Sequence, residues 1–407
     1  METLLILGSG ARIYREYILR SLSTAYRLVI IQATPVSWQR DYSDTIIQLA
    51  NMERETILSV VQQVARERQI AGVMTYDEGF VELTAFVAQE LQLPGISTDC
   101  AQRCRDKLLM RKSFERAGIP SAASFLVSSL EEALQRAEQI GYPVILKPRS
   151  LAGSVGVVYA ASPEQIVEAY TTAVAAFDER YVGAKGTLLE EYLDGPEVSV
   201  ETVLSNGVVH IVAITQKQVM DLPYFEEVGH MVSALEQRPD TSALHNIVQA
   251  VHHALQIEVG VTHTEIRLTH SGPRVIEVGA RLAGDLIPRL VYLATGIDLA
   301  LCAASVATGK MPPIQSQWKR VAAVQFLYPE HPVHVCSLAV DPAYQDVEWL
   351  DQITWKAQAG DTLYLPPRQF LSRLGFIIVS GVTAAECQLH LQQARQFMRI
   401  ELTSMES

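Results

Sequence analysis

The sequence predicts an α/β fold at the N-terminus and α+β structure in the rest of the chain. About the first hundred residues alternate short apolar runs with amphipathic segments, a pattern typical of a mostly parallel sheet covered by helices. Further along, apolar runs are joined by turn residues such as Ser205-Asn206-Gly207, which predict antiparallel hairpins. A chain of 407 residues is expected to form roughly two to four compact units.

In the N-terminal unit we expect strands at residues 3–7, 28–32 and 72–75, with an amphipathic crossover helix before the third. Gly8-Ser9-Gly10 follows the first strand, as in a nicotinamide-binding turn. The third glycine of that motif is replaced by Ile13, and no acidic residue closes the second strand. A tight strand-to-helix turn in a Rossmann-like domain is therefore the favoured interpretation, and a small-molecule contact at the strand ends stays open.

Turn and breaker residues divide the chain into four predicted domains. A Rossmann-like parallel sheet domain takes up residues 1–97, and a helix at 99–117 opens the second domain. The division that we predict is 1–97, 98–185, 186–318 and 319–407. The last part combines short strands and turns with one late helix, which predicts a small C-terminal α+β lobe.

Composition excludes several classes of protein. Hydrophobic residues make up 48% of the chain, charged residues 19%, and the net charge is −12, so nucleic acid and anionic membranes are not expected partners. The N-terminus lacks the basic start of a signal peptide, and no apolar stretch approaches the roughly 20 residues of a membrane span. Five scattered cysteines favour reduced thiols. We therefore expect a cytoplasmic protein.

The first motif with chemical meaning is Lys147, at the end of an apolar strand, followed by a loop rich in glycine and serine. The loop contains Ser150, Gly153, Ser154 and Gly156, and its backbone NH groups can curl around a polyphosphate. A fixed ammonium beside such a loop suits an anion. For the loop alone, a simple hairpin turn is the alternative, and a Walker-type site is disfavoured because the Lys-Ser/Thr ending is missing.

A second motif is a strand that runs into a Gly-Pro turn. Glu190, Glu191 and Leu193 lie where the strand ends, and backbone groups there can read the edge of an adenine. Glu197, just after the turn, can accept hydrogen bonds from ribose hydroxyls. Considered alone, the segment also fits an acidic strand end on the surface.

The third motif is a pair of glutamates, Glu265 and Glu277, in two β-type stretches separated by a turn at 270–273. The stretches are predicted to pair as a hairpin with the two carboxylates side by side. Adjacent carboxylates repel each other unless a cation lies between them, and Mg²⁺ prefers such oxygen ligands. Two surface glutamates on a hairpin are the alternative.

Together and in this order, the motifs resemble those of the ATP-grasp superfamily, over about residues 100 to 310. The resemblance implies an ATP-grasp fold of two subdomains, 98–185 and 186–318, that uses ATP with one or two Mg²⁺ ions, which Mn²⁺ can replace. The implied nucleotide-binding residues are Lys107, Lys147, Ser150, Gly153, Ser154, Gly156, Glu190, Glu191, Leu193 and Glu197. The implied metal ligands are Glu265 and Glu277. Gly279 stands where an asparagine ligand is usual, which leaves the second metal open.

A finer resemblance is to the L-amino acid ligases, which join two amino acids into a dipeptide. It rests on the segment from Pro223 to His230 and on the run that begins at Glu277. The implied substrate-binding residues are Glu227, His230, Arg281 and Gly284, with Arg281 on a carboxylate. Lys217 is expected near the γ-phosphate, and Arg267 on the same strand face as Glu265, so Arg281, Lys217 and Arg267 are the candidate catalytic residues.

The resemblance implies an ATP-dependent carboxylate–amine ligase that forms an amide bond through an acyl phosphate and releases ADP and phosphate. Its expected partners are a small carboxylate and an amine, both amino acids, and a homodimer is compatible with it. Two alternatives stay open. One is a biotin-carboxylase-like enzyme, or another ATP-grasp enzyme that activates a different carboxylate. The other is a nucleotide-binding regulator whose site is degenerate at Gly279.

Overall fold

The computed structural model of the protein describes residues 1–177, 183–235 and 241–405. The N-terminal domain is a parallel four-stranded sheet in the order β3-β2-β1-β4. Its elements are β1 (Thr3–Leu7), α1 (Arg12–Ser23), β2 (Arg27–Gln32), β3 (Thr45–Gln48), α2 (Arg54–Glu67), β4 (Ile70–Met74) and α3 (Val81–Glu90), with 3₁₀ turns at Trp38–Asp41 and Glu78–Phe80. The predicted parallel α/β fold is confirmed. The sequence analysis missed the short edge strand β3, which is defined by its pairing with β2.

A second, antiparallel sheet follows in the order β5-β8-β6-β7. The elements of this part are α4 (Thr98–Arg105), α5 (Lys107–Ala117), β5 (Ser124–Val127), α6 (Leu130–Ile140), β6 (Val144–Pro148), β7 (Val158–Ala160), α7 (Pro163–Ala175) and β8 (Thr187–Glu191). The predicted boundary at residue 186 separates β8 from the sheet in which it pairs. The pairing favours a boundary after Glu191, and the division into domains itself stays a prediction.

The helix predicted over residues 99–117 is wrong in one respect, because it is broken at Asp106. The Asp106 side chain accepts hydrogen bonds from the NH groups of Leu108 and Leu109 and thereby caps the start of α5. Arg149 holds the same carboxylate through Nε at 2.7 Å and Nη2 at 2.5 Å. The break lets α5 begin at Lys107, beside the second sheet.

The largest sheet is antiparallel and has eight strands in the order β13-β12-β9-β10-β11-β14-β18-β16. Its first part contains β9 (Glu197–Ser205), β10 (Val208–Val219), β11 (Glu227–Ser233), α8 (Ser242–Leu255), β12 (Gly260–Thr269), β13 (Gly272–Gly279), α9 (Ile287–Thr295) and α10 (Leu299–Ala307). The predicted hairpins β9–β10 and β12–β13 are both present.

The C-terminal residues extend this sheet. They form β14 (Val321–Leu327), β15 (Val333–Val340), β16 (Leu350–Trp355), β17 (Thr362–Leu363), β18 (Gly375–Gly381), α11 (Ala384–Ala394) and β19 (Met398–Ser404), with 3₁₀ turns at Pro342–Asp346 and Arg395–Phe397. β14, β18 and β16 join the large sheet, whereas β17, β15 and β19 form a small sheet. The predicted late helix is present and ends at Ala394, because the chain turns there into β19.

One hydrophobic core joins the N-terminal, central and C-terminal parts. It brings together Leu4 of β1, Val203 of β9, Leu290 of α9 and Phe376 of β18, all fully buried. Burial of apolar surface stabilises a protein by roughly 25 cal/mol per Å², so this shared core holds the three parts in fixed relative positions. Side chains from all three parts can therefore meet at one site.

Within the described residues, no single helix is long and apolar enough to cross a membrane. Helices α9 and α10 meet that length and composition test only as a pair, and they are bent by 105° relative to each other.

The turn between β8 and β9 requires glycine at residue 195. Gly195 has a φ of +128°, and an added Cβ would lie 2.3 Å from the Leu268 carbonyl oxygen of β12. We predict that Gly195→Ala lowers the free energy of unfolding by about 3 kcal/mol or more, measured by urea denaturation. Gly207→Ala is the control, since its φ is also positive but an added Cβ meets nothing within 4 Å, and about 1 kcal/mol is expected. Equal losses of unfolding free energy in the two variants would contradict the close contact between residue 195 and the Leu268 carbonyl.

Candidate active site

A cleft lies between the second sheet and the large antiparallel sheet. Its volume is about 830 Å³, including the part open to solvent. The predicted residues that line it are Lys107, Lys147, Gly153, Ser154, Glu190, Glu191, Leu193, Glu197, Glu227, Glu265, Arg267 and Glu277. The three predicted motifs, which are far apart in the sequence, thus line the same cleft.

Lys107 reaches the cleft from the first residue of α5. Its Nζ donates a hydrogen bond of 2.6 Å to the Leu151 carbonyl and lies 3.0 Å from Glu277 Oε2. The ammonium therefore connects the glycine- and serine-rich loop to one of the two predicted metal ligands.

Lys147 and Glu190 form a buried charged group with Arg111. The Glu190 carboxylate accepts two hydrogen bonds of 2.9 Å from Arg111, through Nε and Nη2, and lies 2.6 Å from Lys147 Nζ. Burial by itself would raise the pKa of Glu190, but the two cations outweigh it and lower the pKa to about 2. Burial lowers the pKa of Lys147, against the effect of Glu190. Arg111 was not predicted from the sequence, although it lies four residues after Lys107, on the same helix face.

The glycine- and serine-rich loop connects β6 to β7, so it is both a hairpin connection and a wall of the cleft. Gly153, Ser154 and Gly156 have φ values of +69°, +57° and +74°, which curl the backbone tightly. Gly153 and Ser154 line the cleft, but Ser150 is buried and donates to the Ala184 carbonyl at 2.8 Å. Gly156 is required by packing, since an added Cβ would lie 2.4 Å from Ala176 Cβ.

The turn after β8 carries charged groups of both signs. Glu191 faces outward, where Arg274 donates to its Oε1 at 2.6 Å and its Oε2 at 2.8 Å. Glu197 lines the cleft and lies 2.8 Å from Arg267 Nη2, and Arg267 also donates to the Gly195 carbonyl at 2.8 Å. The side chain of Glu191 is thus committed outside the cleft, which leaves its backbone as the part that can meet a ligand.

Lys217 lies beneath the cleft in contact with three carboxylates. Its Nζ is 2.8 Å from Glu197 Oε1, 2.6 Å from Glu227 Oε1 and 2.7 Å from Glu265 Oε1. Burial opposes the charge on Lys217, but the carboxylates outweigh it and raise its pKa well above the usual value. Lys217 is therefore a permanent cation at the point where the nucleotide, metal and substrate residues are predicted to meet.

Glu265 and Glu277 are direct cross-strand partners in the β12–β13 hairpin. Two carboxylates on adjacent strands that both line the cleft fit a hard divalent cation such as Mg²⁺. The second metal position has fewer ligands, because Gly279 stands where an asparagine would supply an oxygen atom and glycine has no side chain. The donor set of Glu265 and Glu277 therefore suits one ion better than two.

His263 orients Glu265 and was missed by the sequence analysis. Its Nδ1 lies 2.9 Å from Glu201 Oε1 and its Nε2 3.1 Å from Glu265 Oε1. Burial lowers the pKa of His263, but the two carboxylates outweigh this effect and raise it to about 10. Its position in β12, two residues before Glu265 and therefore on the same face, is the signal that could have identified it.

The predicted substrate residues form a second wall beside Glu227. His230 is buried, with Nε2 3.3 Å from Glu227 Oε2 and 3.8 Å from Asp285 Oδ2. Asp285 in turn is held by Arg373 of the C-terminal part. The space beside Gly284 is open, since an added Cβ would meet no described atom within 4 Å. Neither Asp285 nor Arg373 was predicted, because Arg373 lies 88 residues away in the sequence.

Arg281 is paired with the N-terminal domain. Its Nε donates to Glu78 Oε2, and its Nη1 donates to the Leu282 carbonyl at 2.8 Å. Arg105 Nη1 lies 2.7 Å from the other Glu78 oxygen. Burial would raise the pKa of Glu78, but the two guanidinium groups lower it to about 2. A substrate carboxylate at Arg281 has to displace Glu78 or share the guanidinium with it.

The chain matches two family models. An ATP-grasp domain matches residues 140–289, and an ATP-grasp N-terminal domain matches residues 32–95. The uncharacterised protein y4rH of Sinorhizobium fredii is 23% identical over 377 residues, which cover 90% of this chain and 76% of that protein. The alanine–anticapsin ligase of Bacillus subtilis is 29% identical over 269 residues, or 59% of this chain and 55% of the ligase. The chain thus spans about half the length of that ligase.

Solved structures share the complete fold. The L-amino acid ligase from Bacillus licheniformis superimposes with a TM-score of 0.82 and 22% identity, over 100% of this chain and 99% of that chain. The biotin carboxylase domain of Hydrogenobacter thermophilus 2-oxoglutarate carboxylase gives a TM-score of 0.73 and 16% identity, over 98% and 91%. The architecture is that of the ATP-grasp fold. With both family domains matched, the chain belongs to the ATP-grasp superfamily.

The ion pairs of Glu190 are expected to make the free energy of unfolding depend on pH. Since its pKa is lowered to about 2, the stabilisation is present above the ordinary carboxyl pKa and is lost as the pH falls through about 2. Glu190→Gln leaves Arg111 and Lys147 without their carboxylate, so we predict a loss of about 3–5 kcal/mol at pH 7 in chemical denaturation. The difference from wild type should shrink as the pH falls below about 4.5.

Glu191→Gln is the matched control for Glu190→Gln. Its carboxylate also binds an arginine, but it is partly exposed, so a loss of about 1 kcal/mol or less is expected. Equal losses for the two variants, or a pH-independent difference for Glu190→Gln, would contradict the assigned role of the buried group.

Proposed function

We propose that this chain is an ATP-dependent carboxylate–amine ligase that joins two amino acids through an amide bond. The observation that supports the proposal is the cleft itself. Two lysines, a curled loop and the paired Glu265 and Glu277 face a wall with Glu227 and His230. The lysines, the loop and the glutamate pair suit a nucleoside triphosphate. The wall with Glu227 and His230 suits a polar organic substrate. Relatives named as an alanine–anticapsin ligase and an L-amino acid ligase agree with it.

In the proposed reaction, a carboxylate oxygen of the first substrate attacks the γ-phosphorus of ATP in line. The bond between that phosphorus and the β–γ bridging oxygen breaks, ADP leaves and an acyl phosphate forms. The amine of the second substrate, after releasing its ammonium proton to water, attacks the acyl carbon. The carbon–oxygen bond to phosphate breaks, the departing phosphate takes up the further proton that the nitrogen loses, and the products are the amide and hydrogen phosphate. Because charge spreads over the phosphoryl oxygens, fixed cations and positioning supply most of the catalysis.

The residues of the chain have separate tasks in this scheme. Lys107 and Lys147 neutralise phosphate charge, and the loop with Gly153 and Ser154 donates backbone NH groups and keeps water from the acyl phosphate. Lys217 holds the carboxylates of the cleft floor in register. Arg281 binds the carboxylate of a substrate in exchange for Glu78.

Glu265 and Glu277 would hold Mg²⁺, which when bound neutralises phosphate charge during transfer. Both carboxylates line the cleft, and each already contacts a lysine ammonium, Lys217 or Lys107. The lysines are therefore within reach of any phosphate bound beside these carboxylates. Since Gly279 supplies no side-chain ligand, we propose one Mg²⁺ ion as the working state.

A screen of ADP release over all pairs of amino acids, with mass spectrometry of the products, tests the proposal. Amide product with equal amounts of ADP and phosphate is the expected result. Turnover that requires bicarbonate would support a carboxylase instead. Tight ATP binding without ADP release under any condition would support a nucleotide-binding regulator, and either result would overturn the ligase assignment.

We predict that Glu277→Gln abolishes ADP release but keeps ATP binding measurable, because a carboxylate that binds metal is lost while the adenine contacts remain. Isothermal titration calorimetry without divalent cations measures the binding. Glu258→Gln, on an exposed residue, is the control and should behave as wild type. Full activity of Glu277→Gln would remove this residue from the metal site.

We predict that Arg281→Lys raises the KM for an amino-acid substrate by roughly tenfold, because lysine cannot bind a carboxylate through two parallel hydrogen bonds. The Kd of ATP should stay within about twofold of wild type, since the adenine-side residues are unchanged. Arg289→Lys is the matched control, because Arg289 forms its ion pair with Asp351 outside the cleft. An unchanged substrate KM would exclude Arg281 from the substrate pocket.

A further inference from the structure

Asp285 is held from the C-terminal part by a buried arginine. Arg373 Nη1 donates to Asp285 Oδ1 at 2.8 Å and Nη2 to Oδ2 at 2.5 Å, a bidentate pair. The same guanidinium donates through Nε to Tyr328 Oη at 2.8 Å, and its Cζ lies 3.6 Å from the centre of the Phe326 ring. The donors of Arg373 are thus committed, and its side chain is only 2% exposed. It positions Asp285 and is not itself offered to a ligand.

The partly exposed charged side chains on this wall are carboxylates. The Asp285 side chain keeps 23% of its surface exposed and that of Glu227 14%, whereas Arg373 and Lys217 are 2% exposed. Each carboxylate oxygen can accept a further hydrogen bond beyond those it already receives. An anion that approached would meet negative charge first, whereas a cation would meet acceptors with their counter-charges held behind them.

His230 lies between the two carboxylates, and neither of its ring nitrogens has a hydrogen-bond partner among the described residues. The residue is 1% exposed, and its contacts of 3.3 Å to Glu227 and 3.8 Å to Asp285 lack the geometry of hydrogen bonds. Ligating atoms of Glu227, His230 and Asp285 all lie within 4.8 Å of one another. A buried polar group without a hydrogen bond is costly, so the cluster has the features of a site completed by a bound ligand.

The backbone at this point is strained. Asp285 and Leu286 have φ values of +48° and +66°, two consecutive residues other than glycine in the left-handed region. Such conformations cost about 1–3 kcal/mol each and persist where the surroundings impose them. Here two parallel hydrogen bonds from Arg373 fix the Asp285 carboxylate. The space beside the neighbouring Gly284 is open, since an added Cβ would meet no described atom within 4 Å.

We propose that Asp285 and Glu227 together bind a positively charged nitrogen of an amino-acid substrate, with Arg373 as the residue that positions Asp285. The inference rests on the proposed ligase function and narrows its substrates to amino acids that present a cation at this wall. The cation is either the α-ammonium or a basic side chain, since both offer N–H donors with a positive charge.

Asp285→Asn is the decisive variant, because it removes the charge and keeps the shape. Calorimetric binding of alanine, lysine, arginine and lactate to the full chain, in the presence of MgADP, should be combined with KM and kcat from ADP release. For wild type we expect binding of an amino acid and none of lactate, which lacks the ammonium. In Asp285→Asn the Kd and KM for the amino acid should rise roughly tenfold or more, with the Kd of MgADP within about twofold.

The pattern of loss identifies the nitrogen. A loss that includes alanine assigns the α-ammonium, and a loss confined to lysine and arginine assigns a basic side chain. Three results would each overturn the proposal: unchanged binding of alanine, lysine and arginine in Asp285→Asn, wild-type binding of lactate as tight as that of all three amino acids, or a variant that changes only the requirement for divalent metal. If wild type binds amino acids at this wall but forms no amide with any pair, the ligase function fails while the cation site stands.

Arg373→Lys tests the positioning role. Lysine keeps the charge but cannot hold both oxygens of Asp285, so we expect the amino-acid KM to rise with a smaller change in kcat. In the double variant with Asp285→Asn the two effects should not add, since both act through the same carboxylate. Additive effects would overturn the positioning role, and if Arg373→Lys does not fold, Asp285→Asn alone decides the proposal.

Asp351→Asn provides the matched control. Asp351 accepts from Arg289 Nη2 at 2.5 Å and Nε at 3.2 Å, which is also a bidentate arginine–aspartate pair, with a more exposed arginine, outside the cleft. Its amino-acid and nucleotide affinities should equal those of wild type, and an equal loss in this variant would mean that Asp285→Asn acts only through stability.

Discussion

A buried ammonium, Lys217 Nζ, lies within 2.8 Å of an oxygen atom of Glu197, Glu227 and Glu265. These carboxylates come from β9, β11 and β12, and the strand order β12-β9-β10-β11 brings them around the lysine of β10. Charges removed from water cost several kcal/mol each unless they are paired, so this arrangement tolerates no unmatched member. A shift of one residue in any of these strands would turn its charged side chain to the opposite face. The register of the sheet and the electrostatics of the cleft floor therefore depend on each other.

The same constraint operates at the opposite wall, where Arg111, Lys147 and Glu190 are buried together. Both walls thus hold fixed, buried charges beside the cleft. Groups that are already oriented need little rearrangement when charge develops on a reacting group, which is the condition for strong electrostatic stabilisation. The loop between the walls has a curled backbone, with positive φ at Gly153, Ser154 and Gly156.

The cleft is a composite of distant parts of the chain. Glu78 from the N-terminal domain contacts Arg281, and Arg373 from the C-terminal part contacts Asp285. The shared hydrophobic core keeps these parts in register, so each can supply a charged side chain without a loss of geometry. Part of the wall beside Glu227 and His230 thus comes from outside the two sheets that line the cleft.

The sequence by itself determined the features that depend on neighbouring residues. The alternation of β12 and β13 about one turn predicted that Glu265 and Glu277 are cross-strand partners, and the apolar run before Lys147 predicted its strand and loop. Only the tertiary structure decided the break at Asp106, the continuation of the large sheet into the C-terminal part, and the pairing of Asp285 with Arg373. Local patterns follow from backbone geometry over a few residues. Contacts across 88 residues depend instead on how separate elements pack around one core, and no spacing in the sequence encodes that.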